Sequence, residues 1–390
     1  MRIAFFTDSF LPQSSGIATS VANFADKLTE MDNTVYIFTP KIRGFKDKNK
    51  HVYRLPSMRL FPSLPDGVRL PLPIPNKSFW KMLSFDFDLV HAHGNGPFPL
   101  LGLTVAKAKK IPFIQTFHIQ VESYAHYLLK GKIIKPELIN ELFLKKIGNL
   151  CDGVIAPSKK MADRLIEAGV TKEVKIIPNF VDFSKFNQPK KGMLRKSCHI
   201  PHLSPIILSV GRVGKEKNFE FLVKVFEKVA KVNLKAHLVI VGPDWGETEK
   251  LIDLAKKRGL QERVHLPGRV SPMQIPSVYK DSDLFVFTSD SETQGMCVLE
   301  AAVSGLPIIV NQDGAYNGMV MSNRNGFILP ANTDIFAKKI INLLNNPKLL
   351  QKLGKNSPVV VKDKFNPEKL TEKLIDFYEQ ILKETNYLNS

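Results

Sequence analysis

Short, unbroken apolar runs alternate with segments of helical periodicity along most of the chain. Arg2–Phe6, Thr34–Phe38, Leu89–His91, Phe113–Thr116, Gly153–Ala156 and Val174–Ile177 make one series of runs. Ile206–Val210, His237–Val241, Val264–Leu266, Leu284–Phe287 and Pro307–Val310 make a second. Strands that read as continuous Val, Ile, Leu and Phe, without a polar face, are those of parallel sheets covered by helices on both sides. Helical patterns lie between the runs: Ala18–Thr29 after the Gly16 loop, Lys159–Ala168 stopped by Gly169, and the amphipathic Phe219–Val229. The expected fold class is α/β, with two Rossmann-like parallel-sheet domains. The polar, proline-containing Asn187–Pro205 separates the two series, which gives domains over 1–187 and 188–369. A last amphipathic helix over Leu370–Leu382 carries Leu370, Leu374, Ile375, Phe377, Tyr378 and Ile381 on one face. No internal repeat or low-complexity tract interrupts the pattern.

At 390 residues, with 44% hydrophobic and 24% charged positions, the chain can bury more than one core. The three cysteines, Cys151, Cys198 and Cys297, are odd in number and far apart, so neither a disulfide framework nor a Cys-x-x-Cys metal site is encoded. A reducing, cytoplasmic setting follows. Met1–Phe6 reads as a first core strand and not as a leader, because Asp8 breaks the apolar run early. No run reaches the roughly 18 to 20 apolar residues that cross a bilayer. The formal net charge is +18, and both halves are basic: 26 Lys/Arg against 16 Asp/Glu up to residue 187 gives +10, and the remaining 29 against 21 gives +8. Such a balance calls for an anionic partner, either phosphate groups or anionic lipid headgroups. Nucleic acid, which the charge alone would also suit, is not the expected partner, since no recognition module or base-reading helix is found, and a peripheral membrane contact is preferred.

The most informative segment is Ser291-Glu-Thr-Gln-Gly-Met-Cys-Val-Leu-Glu-Ala-Ala-Val-Ser-Gly305, with Glu292 and Glu300 eight positions apart. A buried strand precedes it, and Leu299–Ser304 reads as a helix ended by Gly305. Free N–H groups at such a helix start favour phosphate, and a carboxylate nearby can accept from vicinal sugar hydroxyls. Gly211-Arg-Val-Gly-Lys-Glu-Lys-Asn218 sits in a similar strand-to-helix loop, where Arg212 and Lys217 could neutralise a diphosphate or could simply be solvated charges. His118, at the end of a strand, suits a hydrogen bond to a substrate or a structural role. Gly16 suits a close backbone approach to a ligand or a plain turn. His91-Ala-His93 places two rings on one side of a strand, without a third metal ligand nearby. His93-Gly-Asn-Gly96 lacks the third glycine of a nicotinamide site, its place being taken by Pro99. Asp86-Phe-Asp88 and Asp281-Ser-Asp283 each precede a buried strand and read as structural. The proline-rich Arg54–Phe87 stretch carries Arg59, Phe61, Arg69, Phe79, Trp80 and Lys81, a mixture that suits a headgroup boundary, an acceptor-side loop, or both.

Together the Glu292–Glu300 segment, the Gly-Arg-x-x-x-Glu-Lys-Asn loop, the opening Phe6-Thr-Asp-Ser-Phe-Leu-Pro-Gln-Ser-Ser-Gly16 and Ile177-Pro-Asn-Phe-Val-Asp182 resemble the group-1, family-4, retaining GT-B glycosyltransferases. Within that group, Thr116-Phe-His118, Glu122-Ser-Tyr-Ala-His-Tyr127 and Glu292-Thr-Gln-Gly295 look most like the branch that glucosylates diacylglycerol or related lipids. The resemblance implies GT-B domains facing across a cleft, with the helix in 370–390 crossing back to the first domain. It implies a nucleotide-sugar donor, UDP-glucose, held by Gly16, Arg212, Lys217, Glu292, Thr293, Gln294, Gly295, Met296 and Glu300, the last on the ribose. Catalytic roles fall to His118, Glu292, Arg212 and Lys217, and the acceptor or membrane side to Arg59, Arg69, Trp80, Lys81, Tyr124 and His126. No metal and no cofactor is expected, because two cations can balance the diphosphate. Retention of configuration comes from the resemblance alone. The activity so implied is hexosyl transfer to a lipid acceptor by an enzyme bound peripherally to the inner face of the cell membrane. The alternatives are a soluble transferase with a sugar, sugar-phosphate or inositol acceptor, a sugar-nucleotide epimerase, and a non-catalytic lipid- or RNA-binding protein.

Overall fold

The computed structural model describes residues 1–13, 15–59, 69–72, 74, 76–118, 136–187 and 189–389. The chain divides into two units, Met1–Phe180 with Pro367–Ser390, and Val181–Asn366. The first unit runs β1 (Arg2–Thr7), α1 (Gly16–Glu30), β2 (Thr34–Pro40), β3 (Val52–Leu55), β4 (Ser57–Arg59), β5 (Arg69–Pro71), α2 (Lys77–Ser84) and β6 (Leu89–His93). It continues through α3 (Pro97–Lys109), β7 (Phe113–Thr116), α4 (Pro136–Leu150), β8 (Gly153–Ala156), α5 (Lys159–Glu167) and β9 (Val174–Ile176). Seven of its strands form one sheet in the order β3-β2-β1-β6-β7-β8-β9, with every neighbouring pair parallel. β4 and β5 form a separate antiparallel ribbon.

The second unit contains α6 (Met193–Ser197), β10 (Ile206–Val210), α7 (Phe219–Val232), β11 (His237–Val241), α8 (Thr248–Lys257), β12 (Val264–Gly268) and α9 (Ile275–Lys280). These are followed by β13 (Leu284–Phe287), α10 (Met296–Val303), β14 (Ile308–Asn311), β15 (Gly326–Leu329), α11 (Thr333–Leu344) and α12 (Pro347–Lys362). Its six-stranded sheet has the order β12-β11-β10-β13-β14-β15 and is parallel throughout. The last helix, α13 (Pro367–Asn389), belongs to the first unit.

The unbroken apolar runs are explained by burial on both faces. In β1, Ala4 and Phe6 enter one core while Ile3 and Phe5 enter another, as the two-residue period of a strand requires. In β10, Ile206, Leu208 and Val210 face one core and Ile207 the opposite one. Leu370, Leu374, Phe377, Tyr378 and Ile381 of α13 join Ile3, Phe5 and Ile155 in the first unit. Val181, Leu194, Cys198 and Ile200 are buried in the second unit's core, so the chain passes between units at 180/181, ahead of the polar stretch.

Four strands escape the apolar pattern: β3, β4, β5 and β15. The proline-rich stretch forms short pieces, including α2, whose first turn is capped by Asn76 Oδ1 accepting from the amides of Ser78 and Phe79. The helix expected at Leu299–Ser304 begins earlier, at Met296, because Gly295 takes a left-handed conformation (φ +78°) that ends the loop there. Three of the four aspartates in the two Asp-x-Asp pairs accept from backbone amides distant in the chain, and Asp86 is exposed. Asp88 accepts from Arg2 N at 2.7 Å, Asp281 from Leu194 N at 2.7 Å, and Asp283 from Ile206 N at 2.8 Å. Among the described residues, no helix is long and apolar enough to cross a membrane.

Candidate active site

Parallel pairing of β11, β10 and β13 brings the loops at their carboxyl ends together in the second unit, where ligands gather in doubly wound sheets. Gly211 N donates to Val241 O at 2.9 Å. Gly242 must be glycine, since a Cβ there would lie 1.8 Å from Gly211 O. Trp245, in the loop after β11, donates its backbone N–H to Val213 O at 3.0 Å, and the Arg212 guanidinium stacks 4.3 Å from its ring centroid. Arg212 also pairs with buried Glu216 at 3.7 Å. Lys217 is 9% exposed, forms an ion pair with Glu292, and lies 5.6 Å from the Phe287 ring centroid. Side chains from the neighbouring loop fix this backbone. Thr288 Oγ1 donates to Lys217 O at 3.2 Å or Asn218 O at 3.1 Å, and Ser289 Oγ donates to Glu216 O at 3.1 Å.

The two glutamates are in opposite electrostatic states. Burial pushes the Glu292 carboxyl up, but the Lys217 ammonium paired with it and the Arg212 charge hold it below the usual range. Among the described residues, Glu300 has no such cation. Burial raises it to about 7, opposed by a hydrogen bond from Tyr279, whose hydroxyl lies 2.7 Å from Oε2. Between them, Gln294 is buried, Thr293 and Met296 are half-buried, and Gly295 packs on Tyr316, where a Cβ would come within 2.9 Å of the ring. Tyr316 in turn donates to Ser289 O at 2.7 Å. Sequence reasoning identified Arg212, Lys217, Glu292 and Glu300, which the fold brings to neighbouring loops and α10. It missed Trp245, Glu216, Tyr279 and Tyr316. A signal existed for Trp245, in the Gly242-Pro-Asp-Trp-Gly246 turn directly after an apolar strand.

In the first unit His118 lies just past β7, buried, with Nε2 3.2 Å from Nδ1 of His93. His93 and His91 share a face of β6 with ring centroids 4.1 Å apart. His91 is held by Tyr378 Oη at 2.5 Å and Thr116 Oγ1 at 2.7 Å. The register His93↔Thr116 places the ends of β6 and β7 side by side, which explains why His118 joins a pair that looked isolated in the sequence. Burial holds all three imidazoles neutral, lowering His118 to about 3. Among the described residues, no three His, Cys, Asp or Glu side chains are placed to hold a metal. Gly16 is the first residue of α1, whose cap is Ser15 Oγ accepting from Ala18 N at 3.1 Å.

On the expected acceptor side, Arg59 is exposed at the end of β4, and Trp80 on α2 is 59% exposed. Arg69 is turned onto its own ribbon, its Nε donating to Ser57 Oγ at 3.0 Å. Lys81 packs inward, with Nζ 5.4 Å from the Tyr53 ring centroid and 5.6 Å from that of Phe85. Tyr124 and His126 lie outside the described residues.

Residues 14–185 match the family described as Glycosyltransferase Family 4, and residues 191–360 match Glycosyl transferases group 1. The chain is 30% identical over 358 residues to the alpha-monoglucosyldiacylglycerol synthase of Streptococcus pneumoniae, covering 90% of this chain and 80% of that one. It is 30% identical over 375 residues to the Acholeplasma laidlawii protein of the same name, covering 93% of each. Among solved structures, Anabaena HepE in complex with UDP and glucose superposes with a TM-score of 0.76 at 19% identity, covering 97% of this chain and 100% of that one, a likeness of fold. With both halves matched and relatives at this identity, the chain belongs to the group-1, family-4 glycosyltransferases and is a hexosyltransferase of GT-B fold.

Proposed function

We propose that the enzyme transfers glucose from UDP-glucose to the hydroxyl of a diacylglycerol-type lipid, with retention of configuration, at an anionic membrane surface. The observation that carries the donor half of this reading is the Arg212 and Lys217 pair beside Glu292 at the carboxyl ends of β10 and β13. Both cations are already partnered by carboxylates in the protein. An incoming diphosphate exchanges those partners for phosphate oxygens and gives charge-assisted hydrogen bonds where leaving-group charge grows. Each such contact is worth about 1.5 to 3 kcal/mol, so the two cations suffice without a metal. Glu292, Thr293, Gln294, Gly295 and Met296 then line the transferred sugar, and Glu300 the ribose. His118, neutral at physiological pH, serves as a hydrogen-bonding imidazole and not as an acid.

Support for the lipid acceptor comes from the names of the two relatives at 30% identity, both synthases of an alpha-linked glucosyl diacylglycerol. An α product from an α-linked nucleotide sugar requires retention. Support for surface action is the net charge of +18 and the exposed apolar side chains Met58 and Leu70 on the ribbon and Trp80 and Leu83 on α2, beside exposed Arg59 and Lys77. The test offers a panel of radiolabelled nucleotide sugars with membrane lipid extract, with and without EDTA. Label from UDP-glucose entering the organic phase in both conditions is the expected result. Label that stays in water-soluble product supports the soluble-acceptor alternative. Activity lost with EDTA refutes metal independence.

A further inference from the structure

Glu300 lies in the second turn of α10, and among the described residues its carboxylate has one hydrogen-bond partner, the hydroxyl of Tyr279. That hydroxyl is 2.7 Å from Glu300 Oε2 and 3.1 Å from the Cys297 carbonyl oxygen. Tyr279 comes from a different helix, α9, and is fully buried, its ring centroid 5.8 Å from that of Phe285 and 6.3 Å from that of Phe186. The phenol is therefore fixed in part by packing on residues outside the helix it supports.

A phenol has one proton and two lone pairs, and this one faces two acceptors. When Glu300 is ionised, the shorter, charge-assisted bond takes the proton. When Glu300 is protonated, its own O–H donates to the phenol oxygen, and the phenol proton turns to the Cys297 carbonyl. Oε2 stays anchored in both states, and its direction also fixes that of Oε1.

We propose that Tyr279 is a positioning residue for the nucleotide-sugar donor: by holding Oε2 of Glu300 it presents an ionised Oε1 to the vicinal hydroxyls of the ribose. The inference rests on the reading of Glu300 as the ribose ligand. Two hydroxyl donors are best met by a carboxylate, which only accepts. Burial works against that state, and the Tyr279 bond opposes burial. Other ionisable groups nearby do not titrate near neutrality. Cys297 on α10 is kept a thiol by burial and by the Glu292 charge, Tyr279 on α9 is kept protonated chiefly by burial, and Glu292 after β13 is kept ionised by Lys217.

The test is calorimetric titration of UDP-glucose between pH 5.5 and 8.5 into the wild type, Tyr279→Phe, Glu300→Gln and the double variant. The donor's diphosphate is a diester and does not titrate in this range, so any midpoint belongs to the protein. The wild type is expected to bind more weakly as the pH falls through about 7. Tyr279→Phe is expected to bind roughly 3- to 10-fold more weakly at pH 7.5 and to move the midpoint to higher pH. Glu300→Gln is expected to lose the midpoint, and the double variant to bind no worse than Glu300→Gln alone. Circular dichroism checks the fold. If the Phe variant is unfolded, Tyr279→Met, which also fills the site without a hydroxyl, takes its place with the same expectations. A wild-type affinity and midpoint in Tyr279→Phe, alongside a lost midpoint in Glu300→Gln, overturns the positioning role and leaves the ribose reading standing. A wild-type affinity in Glu300→Gln removes both.

Discussion

Replacing Lys217 with methionine removes the charge, keeps much of the stem's volume, and strands the Glu292 carboxylate in the interior. The two side chains are 11% and 13% exposed. Removing one partner of a buried pair costs about 3 to 5 kcal/mol. Arg212 still acts on Glu292 and lowers it, so the low end, about 3 kcal/mol, is the expectation. In a unit of this size each kcal/mol shifts the melting midpoint by about 2 to 4 °C, so the second unit should melt roughly 6 to 12 °C lower at neutral pH. The pH dependence gives the sharper test. In the wild type Glu292 is held below its ordinary range, so its contribution is present above the unfolded carboxylate value and lost as pH falls through the folded one. Without Lys217 the push from burial dominates and the sign reverses, so stability falls as pH rises through the new value. The gap between wild type and Lys217→Met should therefore widen from pH 5.5 to 8.5. Adding Glu292→Gln, which removes the stranded charge, should close much of it. The assay is thermal unfolding followed by circular dichroism at three pH values, with the transitions of the two units resolved. A gap that is the same at pH 5.5 and 8.5, or one that Glu292→Gln does not relieve, refutes the reasoning.

Gly242→Ala should cripple the second unit, because the new Cβ would meet backbone at 1.8 Å. Gly246→Ala has open space and only a left-handed φ of +90° to bear, so it should cost about 1 to 2 kcal/mol; comparing the two melting curves separates contact from strain. Glu300→Gln should match the wild type's melting midpoint at pH 5.5 and exceed it at pH 8.5. A carboxyl raised by burial to about 7 contributes stability that is lost as pH rises through that value, and Gln does not titrate. Trp80→Glu should weaken binding to anionic phospholipid vesicles by roughly tenfold, the equivalent of about 1 to 2 kcal/mol of lost apolar insertion, in a sedimentation assay; unchanged binding refutes a role for α2 at the membrane.

The two parallel sheets were legible because strands covered on both faces leave an apolar signature that polar loops interrupt cleanly. Where a strand is short or only partly covered, the signature fades. β15 opens on Gly326, whose Cβ would sit 2.0 Å from Ile308 O, so close backbone approach and not apolar patterning selects the residue. β4 and β5 are three residues each, drawn from a proline-rich stretch, and depend on each other for pairing. Lys81 illustrates a second loss. In the sequence it stands beside Trp80 as a further basic group for a headgroup boundary, but α2 turns it toward Tyr53 and Phe85 while Trp80 points outward. Adjacent residues on a helix are about 100° apart, so neighbours in sequence need not share a face.

Spacing located Glu292 and Glu300 but could not tell them apart, because the difference between them is made by residues distant in the chain. Lys217 reaches Glu292 only because β10 and β13 are adjacent and parallel, a pairing that crosses some seventy positions of sequence. Tyr279 reaches Glu300 only because α9 packs beside α10, and it brings a neutral hydrogen bond instead of a charge. One acid is thereby held below the usual carboxylate range, and its neighbour is left poised near neutrality. The different protonation behaviour of the two glutamates thus follows from which of them has a cation across the sheet.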